Sequence, residues 1–133
     1  MVTIGNPGNT ADPVTLVGGV AYEFKIGKYL VSNAEYTAFL NAVASQADTY
    51  GVYVESMGTD IQTAGISRTS SNGVFVYEVM NSSWGDSTDD YPAAYVSWLN
   101  AARFANWMSN GQLSGYQTSQ VQHSYHLYVV STI

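Results

Sequence analysis

Apolar and polar residues alternate from residue 22 to 27, with Tyr22, Phe24 and Ile26 standing between Glu23, Lys25 and Gly27. A period of two is that of a half-buried strand. A few residues later the period changes. Tyr36, Phe39, Leu40 and Val43 recur at helical spacing, the apolar stripe of an amphipathic helix. Ser32 is placed to cap that helix, Glu35 completes a capping box, and Val31 with Tyr36 forms a hydrophobic staple. The pattern predicts a strand leading directly into a helix over residues 33–45, their apolar faces sharing one core.

Upstream, residues 2–4 read as a short strand, followed by the loop NPGNTADP and a turn at Gly18-Gly19. Asn6, Asn9 and Asp12 in that loop offer oxygens to a calcium ion, but these residue types ordinarily bond their own backbone, and a self-fastened loop is the favoured reading. Downstream, residues 50–54 alternate weakly, as a short strand or an extended loop, and residues 57–63 look irregular. Residues 66–69 and 74–80 are β-rich and flank Ser70-Ser71-Asn72-Gly73. Asn-Gly between two such runs predicts a hairpin.

A polar loop, NSSWGDSTDD, fills residues 81–90, and a strand-like Pro-Ala-Ala-Tyr-Val segment follows at 92–96. Ser97 is a helix N-cap and Gly111 a left-handed ending for a second helix between them. Trp98, Ala101, Ala102 and Ala105, widened by Phe104 and Met108, form its expected core stripe. Core packing is the expected role for most of Trp98, Phe104 and Trp107, ahead of a sugar-stacking platform. Residues 115–122 are polar, and 125–130 read as a closing strand.

Composition bounds the chemistry. The 133 residues make one domain, able to bury roughly two thirds of the unfolded surface. Lys25, Lys28, Arg68 and Arg103 are the whole basic complement, against ten carboxylates, for a net charge of −6. Nucleic acid and anionic membrane surfaces, which need clustered Lys and Arg, are not expected partners. No apolar run reaches the roughly 20 residues of a membrane span. With no cysteine there is no disulfide, thiolate metal site or cysteine nucleophile. MVTIGN lacks the basic segment and apolar run of a signal peptide.

Candidate sites are sparse. Asp86, Asp89 and Asp90 form the densest acidic cluster and are the metal candidates, calcium being the ion such oxygens would take, although their spacing fits no EF-hand. Asn81-Ser82-Ser83 fits the glycosylation acceptor pattern. His123 and His126 are the only histidines; on a strand they point to opposite faces and fall short of a zinc site. There is no Gly-x-Ser-x-Gly elbow, no paired carboxylate for glycoside hydrolysis and no phosphate-binding glycine loop. No catalytic or cofactor-binding residue is assigned.

Three stretches together resemble a known family. Phe24-x-Ile26-x-Lys28-Tyr29-x-Val31-Ser32-Asn33-x-x-Tyr36-x-x-Phe39 is similar to the opening motif of the formylglycine-generating enzymes, or sulfatase-modifying factors. Pro92 and then Tyr95-Val96-Ser97-Trp98-x-x-Ala101-x-x-Phe104-x-x-Trp107 resemble that family's next helix, and Val2 to Asn9 with Asp12 resemble the start of its bacterial members. The resemblance implies an α+β, C-type-lectin-like fold with two helices packed on small antiparallel sheets. It covers the N-terminal half only: a Leu-Pro-Thr-Glu-x-Glu-Trp-Glu-like continuation is missing, and residues 112–133 depart from the pattern. The family's paired cysteines and metal ligands belong to that missing half. The expected function is therefore a non-catalytic binding or assembly module, reading a protein or glycan through loops 56–65 and 81–91. An enzyme of other chemistry and an inactive truncated fragment remain open alternatives. A truncated core would expose apolar surface, so a homo-oligomer is expected, with residues 121–132 as its interface strand. The resemblance also implies a longer, exported parent protein.

Overall fold

The computed structural model describes residues 2–60, 62 and 65–115. The chain divides into two compact units, one up to Leu30 and one from Val31 onward.

In the first unit, β1 (Val2–Ile4) pairs antiparallel with β2 (Phe24–Ile26), Thr3 lying opposite Lys25. The connecting loop is fastened by its own side chains. Asp12 Oδ1 accepts the N–H groups of Val14 at 2.9 Å and Thr15 at 2.7 Å and the Thr15 hydroxyl at 3.0 Å. Those two backbone donors, Thr15 first, hold its carboxyl below the usual carboxylate range. Asn9 donates to the Gly18 carbonyl at 2.8 Å and accepts from Val20 N at 3.1 Å. Tyr22, Phe24 and Ile26, expected to line a core, are all exposed. Alternation reveals which side chains share a face; it does not supply a layer to cover them, and two strands of three residues are too small to do so.

The second unit holds the core. Its elements are α1 (Asn33–Val43), α2 (Ser56–Thr59), β3 (Ile66–Ser71), β4 (Val74–Val79) and α3 (Trp98–Ser109). The capping box of α1 is complete: Glu35 N donates to Ser32 Oγ at 3.2 Å, and Ser32 N to Glu35 Oε2 at 3.0 Å. β3 and β4 pair in the register Ile66 opposite Val79 through Ser71 opposite Val74. The turn between them has φ of 51° at Asn72 and 79° at Gly73, both left-handed as a type I′ hairpin requires. α3 is capped by Ser97 Oγ, which accepts from Asn100 N at 3.2 Å. At its other end Gly111 is left-handed (φ 81°) and Gln112 N reaches back to the Trp107 carbonyl at 2.9 Å, a Schellman-type ending.

Helices α1 and α3 meet through rings. Phe39 is 5.6 Å from Phe104 in an edge-on contact and 5.5 Å from Trp107, and Tyr36 lies 5.9 Å from Phe104. Leu40, Val52, Tyr53, Met57, Ile66 and Tyr77 extend this core under the hairpin.

Three expectations change. The irregular stretch contains one helical turn, α2, because Met57 is buried and draws the backbone into the core. Residues 92–96 form no strand beyond a single bridge from Pro92 to Ser32; Tyr95 is left-handed, with φ of 60°, and an extended ladder cannot continue through that conformation. On α3 the buried residues are Asn100, Phe104, Asn106 and Trp107, while Trp98, Ala101 and Ala105 are exposed. The closing strand at 125–130 and the interface strand at 121–132 lie outside the described residues. Among the described residues no helix is long and apolar enough to cross a membrane.

Candidate functional site

The loop over residues 81–91 is built on the first turn of α1. A helix begins with N–H groups that have no intrahelical acceptor. Here Asn33 N donates to the Tyr91 carbonyl at 2.8 Å and Ala34 N to the Asp89 carbonyl at 3.1 Å. Inside, the Asn33 side chain donates to the Thr88 carbonyl at 3.1 Å, and Thr88 Oγ1 donates to the Met80 carbonyl at 2.6 Å. Asn33 and Thr88 are both buried. Gly65 lies against this pair so closely that a Cβ there would stand 2.0 Å from Asn33 Nδ2. The base of the loop is thus locked by polar groups that leave α1 no vacant donor for an anion.

The tip is held by one serine. Ser82 Oγ accepts from Trp84 N at 3.3 Å and Asp86 N at 3.2 Å, while Ser82 N donates to the Asp86 carbonyl at 2.8 Å. Gly85 closes the turn with φ of 87°, donating to the Ser82 carbonyl at 2.9 Å. The result is an indole carried outward on a stiff turn: Trp84 is 89% exposed.

The other expected loop begins at α2. Asp60 ends that helical turn; its Oδ1 accepts from Gln62 N at 2.8 Å and its Oδ2 from the Tyr95 hydroxyl. Tyr95 makes this contact from its left-handed backbone, which costs a bulky residue roughly 1–3 kcal/mol. Nothing in the spacing of Asp60 and Tyr95, 35 residues apart, announced the pair.

Arg68 lies over the rings of Tyr53 at 4.6 Å and Phe75 at 5.0 Å and pairs with Glu55 at 3.5 Å. Burial, reinforced by the Asp48 carboxylate, pushes the Tyr77 phenol up to about 12. The same two causes raise Tyr36; burial, then Glu55, raises Tyr53. The three phenols donate to backbone carbonyls: Tyr36 to Val52 at 2.8 Å, Tyr53 to Ile66 at 3.3 Å, and Tyr77 to Ala44 at 3.2 Å. They are core tyrosines held protonated.

Asp86, Asp89 and Asp90 lie exposed on the same loop as Trp84. Among the described residues no three of His, Asp or Glu form a group that could hold a metal ion. His123 and His126 are outside the described residues.

What these elements define is a small α+β domain with two antiparallel sheets, consistent with a C-type-lectin-like fold, whose connecting loops rather than its core carry the exposed aromatic and acidic groups. Residues 8–128 match the family described as sulfatase-modifying factor enzyme 1-like domain, and the chain belongs to that family. No curated protein sequence and no solved structure matches it. The family match takes in residues 112–128, the stretch in which the quoted family motifs stop.

Proposed function

We propose that this chain is a non-catalytic binding module whose loops at 81–91 and 56–65 read a protein or glycan ligand. The observation that carries this reading is the presentation of Trp84, 89% exposed on a turn whose geometry is fixed by Ser82 and whose base is locked to α1. Tryptophan supplies large contact area with few rotors, and a side chain already held in place loses little entropy on binding. The same ring face suits the C–H groups of a sugar or an apolar anchor of a protein. The absence of cysteine removes thiol chemistry from the chain.

The test is a binding screen of the purified chain against an array of neutral oligosaccharides and a displayed peptide library, followed by titration of the hits. Trp84→Ala is expected to weaken a genuine hit at least tenfold while leaving the melting curve unchanged. Hits that bind Trp84→Ala and the parent equally would overturn the reading.

A further inference from the structure

The two edges of the β3–β4 sheet are treated differently. On β4, Phe75 N donates to the Ser45 carbonyl at 2.6 Å, and Asn41 grips Tyr77 from both sides, its Nδ2 donating to the carbonyl at 2.8 Å and its Oδ1 accepting from the N–H at 3.0 Å. The backbone groups of Phe75 and Tyr77 therefore face away from β3. Antiparallel alternation then turns the groups of their cross-strand partners, Ser70 and Arg68, outward on the opposite edge. There, neither finds a backbone partner among the described residues. Residues 68–71 are exposed throughout.

Edge strands are normally blunted by lysine, proline, a bulge or a charge pointing inward. β3 has no lysine or proline, and its register with β4 runs without a bulge. Two devices are present in part: Arg68 turns inward over Tyr53 and Phe75, its charge paired with Glu55, and the edge is covered at Ile66, whose carbonyl accepts from the Tyr53 hydroxyl at 3.3 Å. Neither occupies the backbone groups of Arg68 and Ser70. From residue 61 to 77 that arginine is the only charged residue in a chain of net charge −6. This is the stretch along which two acidic molecules repel least.

We infer that β3 pairs antiparallel with β3 of a second copy of this chain, about a two-fold axis at Thr69. The strand's own residues select the register. Centred on Thr69, Arg68 faces the second copy's Ser70, Thr69 faces Thr69, and Ser67 faces Ser71, with no like charges opposed. Centring on Arg68 would oppose two guanidinium groups. Centring on Ser70 would oppose Arg68 to Asn72, whose φ of 51° belongs to the turn. The chosen register forms about four inter-chain hydrogen bonds. It builds a four-stranded sheet whose outer face carries Val74 and Val76, which are 44% and 41% exposed in one chain. Two strands alone are marginal, and added strands reinforce one another. The axis is closed, so assembly stops at the dimer. This interface uses none of residues 121–132 and does not depend on what the Trp84 loop binds.

The test is solution mass by light scattering over a concentration series, with amide exchange read at Arg68 and Ser70. The parent chain is expected to rise from 14.4 kDa toward twice that mass, with both amides slowing as it does so. Ser70→Pro removes an N–H that β4 does not use, and Thr69→Lys opposes two ammonium groups across the axis. Both are expected to stay at the single-chain mass with unchanged dilute-solution melting. A parent that remains monomeric at every concentration, a dimer that survives both substitutions, or a dimer in which Arg68 and Ser70 exchange freely would each overturn the inference. Trp84→Ala should leave the dimer intact, which separates failure of the ligand reading from failure of this one.

Discussion

Helices α1 and α3 are of similar length, and both begin at a serine cap, yet they meet the rest of the molecule in different ways. α1 is covered on two adjoining sides. Tyr36, Phe39, Leu40 and Val43 face the aromatic core, while Asn33 and Asn41 hold backbone groups of loop 81–91 and of β4. α3 buries Asn100, Phe104, Asn106 and Trp107 but leaves its first residue, Trp98, 69% exposed. A polar residue on a helix is thus as able to face inward as a leucine when a backbone segment waits there for a donor and an acceptor. The more apolar-looking stripe of α3 lost to the one that had partners.

Substitutions should separate the two helices most sharply at the rings. Phe39 is fully buried and touches Tyr36, Phe104 and Trp107. Phe39→Ala is expected to lower unfolding free energy by about 3–5 kcal/mol in a urea titration, whereas Trp98→Ala on α3 should change it by no more than about 0.5 kcal/mol. Equal losses at the two positions would mean that the outer face of α3 is covered in solution.

Next in size is the polar side of α1. Asn33→Ala removes the donor to the Thr88 carbonyl, in a place too enclosed for water to substitute freely, with an expected loss of about 2–3 kcal/mol. Asn100→Ala, the corresponding change on α3, breaks the 2.9 Å bond to the Gly51 carbonyl and the contact that Arg103 makes at 2.7 Å. Both partners sit nearer the surface, so about 1 kcal/mol is expected. Thermal melts of the two variants side by side would measure the difference.

Alkaline titration probes the same contrast. The Tyr77 phenol is raised to about 12, and Tyr36 is raised as well. A raised phenol keeps its proton in the folded chain after the unfolded chain has lost it, near pH 10. Its contribution is whole below that point and falls by about 1.4 kcal/mol per pH unit up to the folded value. Stability should therefore begin to fall near pH 10, and Tyr77→Phe should flatten the slope between 10 and 12.

Local chemistry was legible in the sequence and distant chemistry was not. The capping box at Ser32 and Glu35, the Asn72-Gly73 turn and the ending at Gly111 each depend on residues within a few positions, and all formed where their residue types indicated. The face of α3, the exposure of Tyr22, Phe24 and Ile26, and the grip of Asn41 on Tyr77 depend on which segment arrives from far along the chain. At the candidate site, the Trp84 loop was visible as a polar stretch. Its rigidity was not, because the bonds that lock it run to Asn33 and Ala34. The pattern places Tyr95 in a strand, since a tyrosine between apolar neighbours carries no mark of a left-handed backbone.

One expected effect has the opposite sign. Thr37 lies one turn from Asn33 and one from Asn41, on the same side of α1, and its buried hydroxyl finds no hydrogen-bond partner among the described residues. An unpaired buried hydroxyl opposes folding, and valine has nearly the same shape without the polar atom. Thr37→Val should raise unfolding free energy by about 0.5–1 kcal/mol, measured as a shift of the urea midpoint at constant slope. Asn33 and Asn41, which do have clients, should tolerate no such exchange. If Thr37→Val instead destabilises as Asn33→Ala does, the hydroxyl has a partner, and the polar side of α1 is a continuous network rather than two separate clamps.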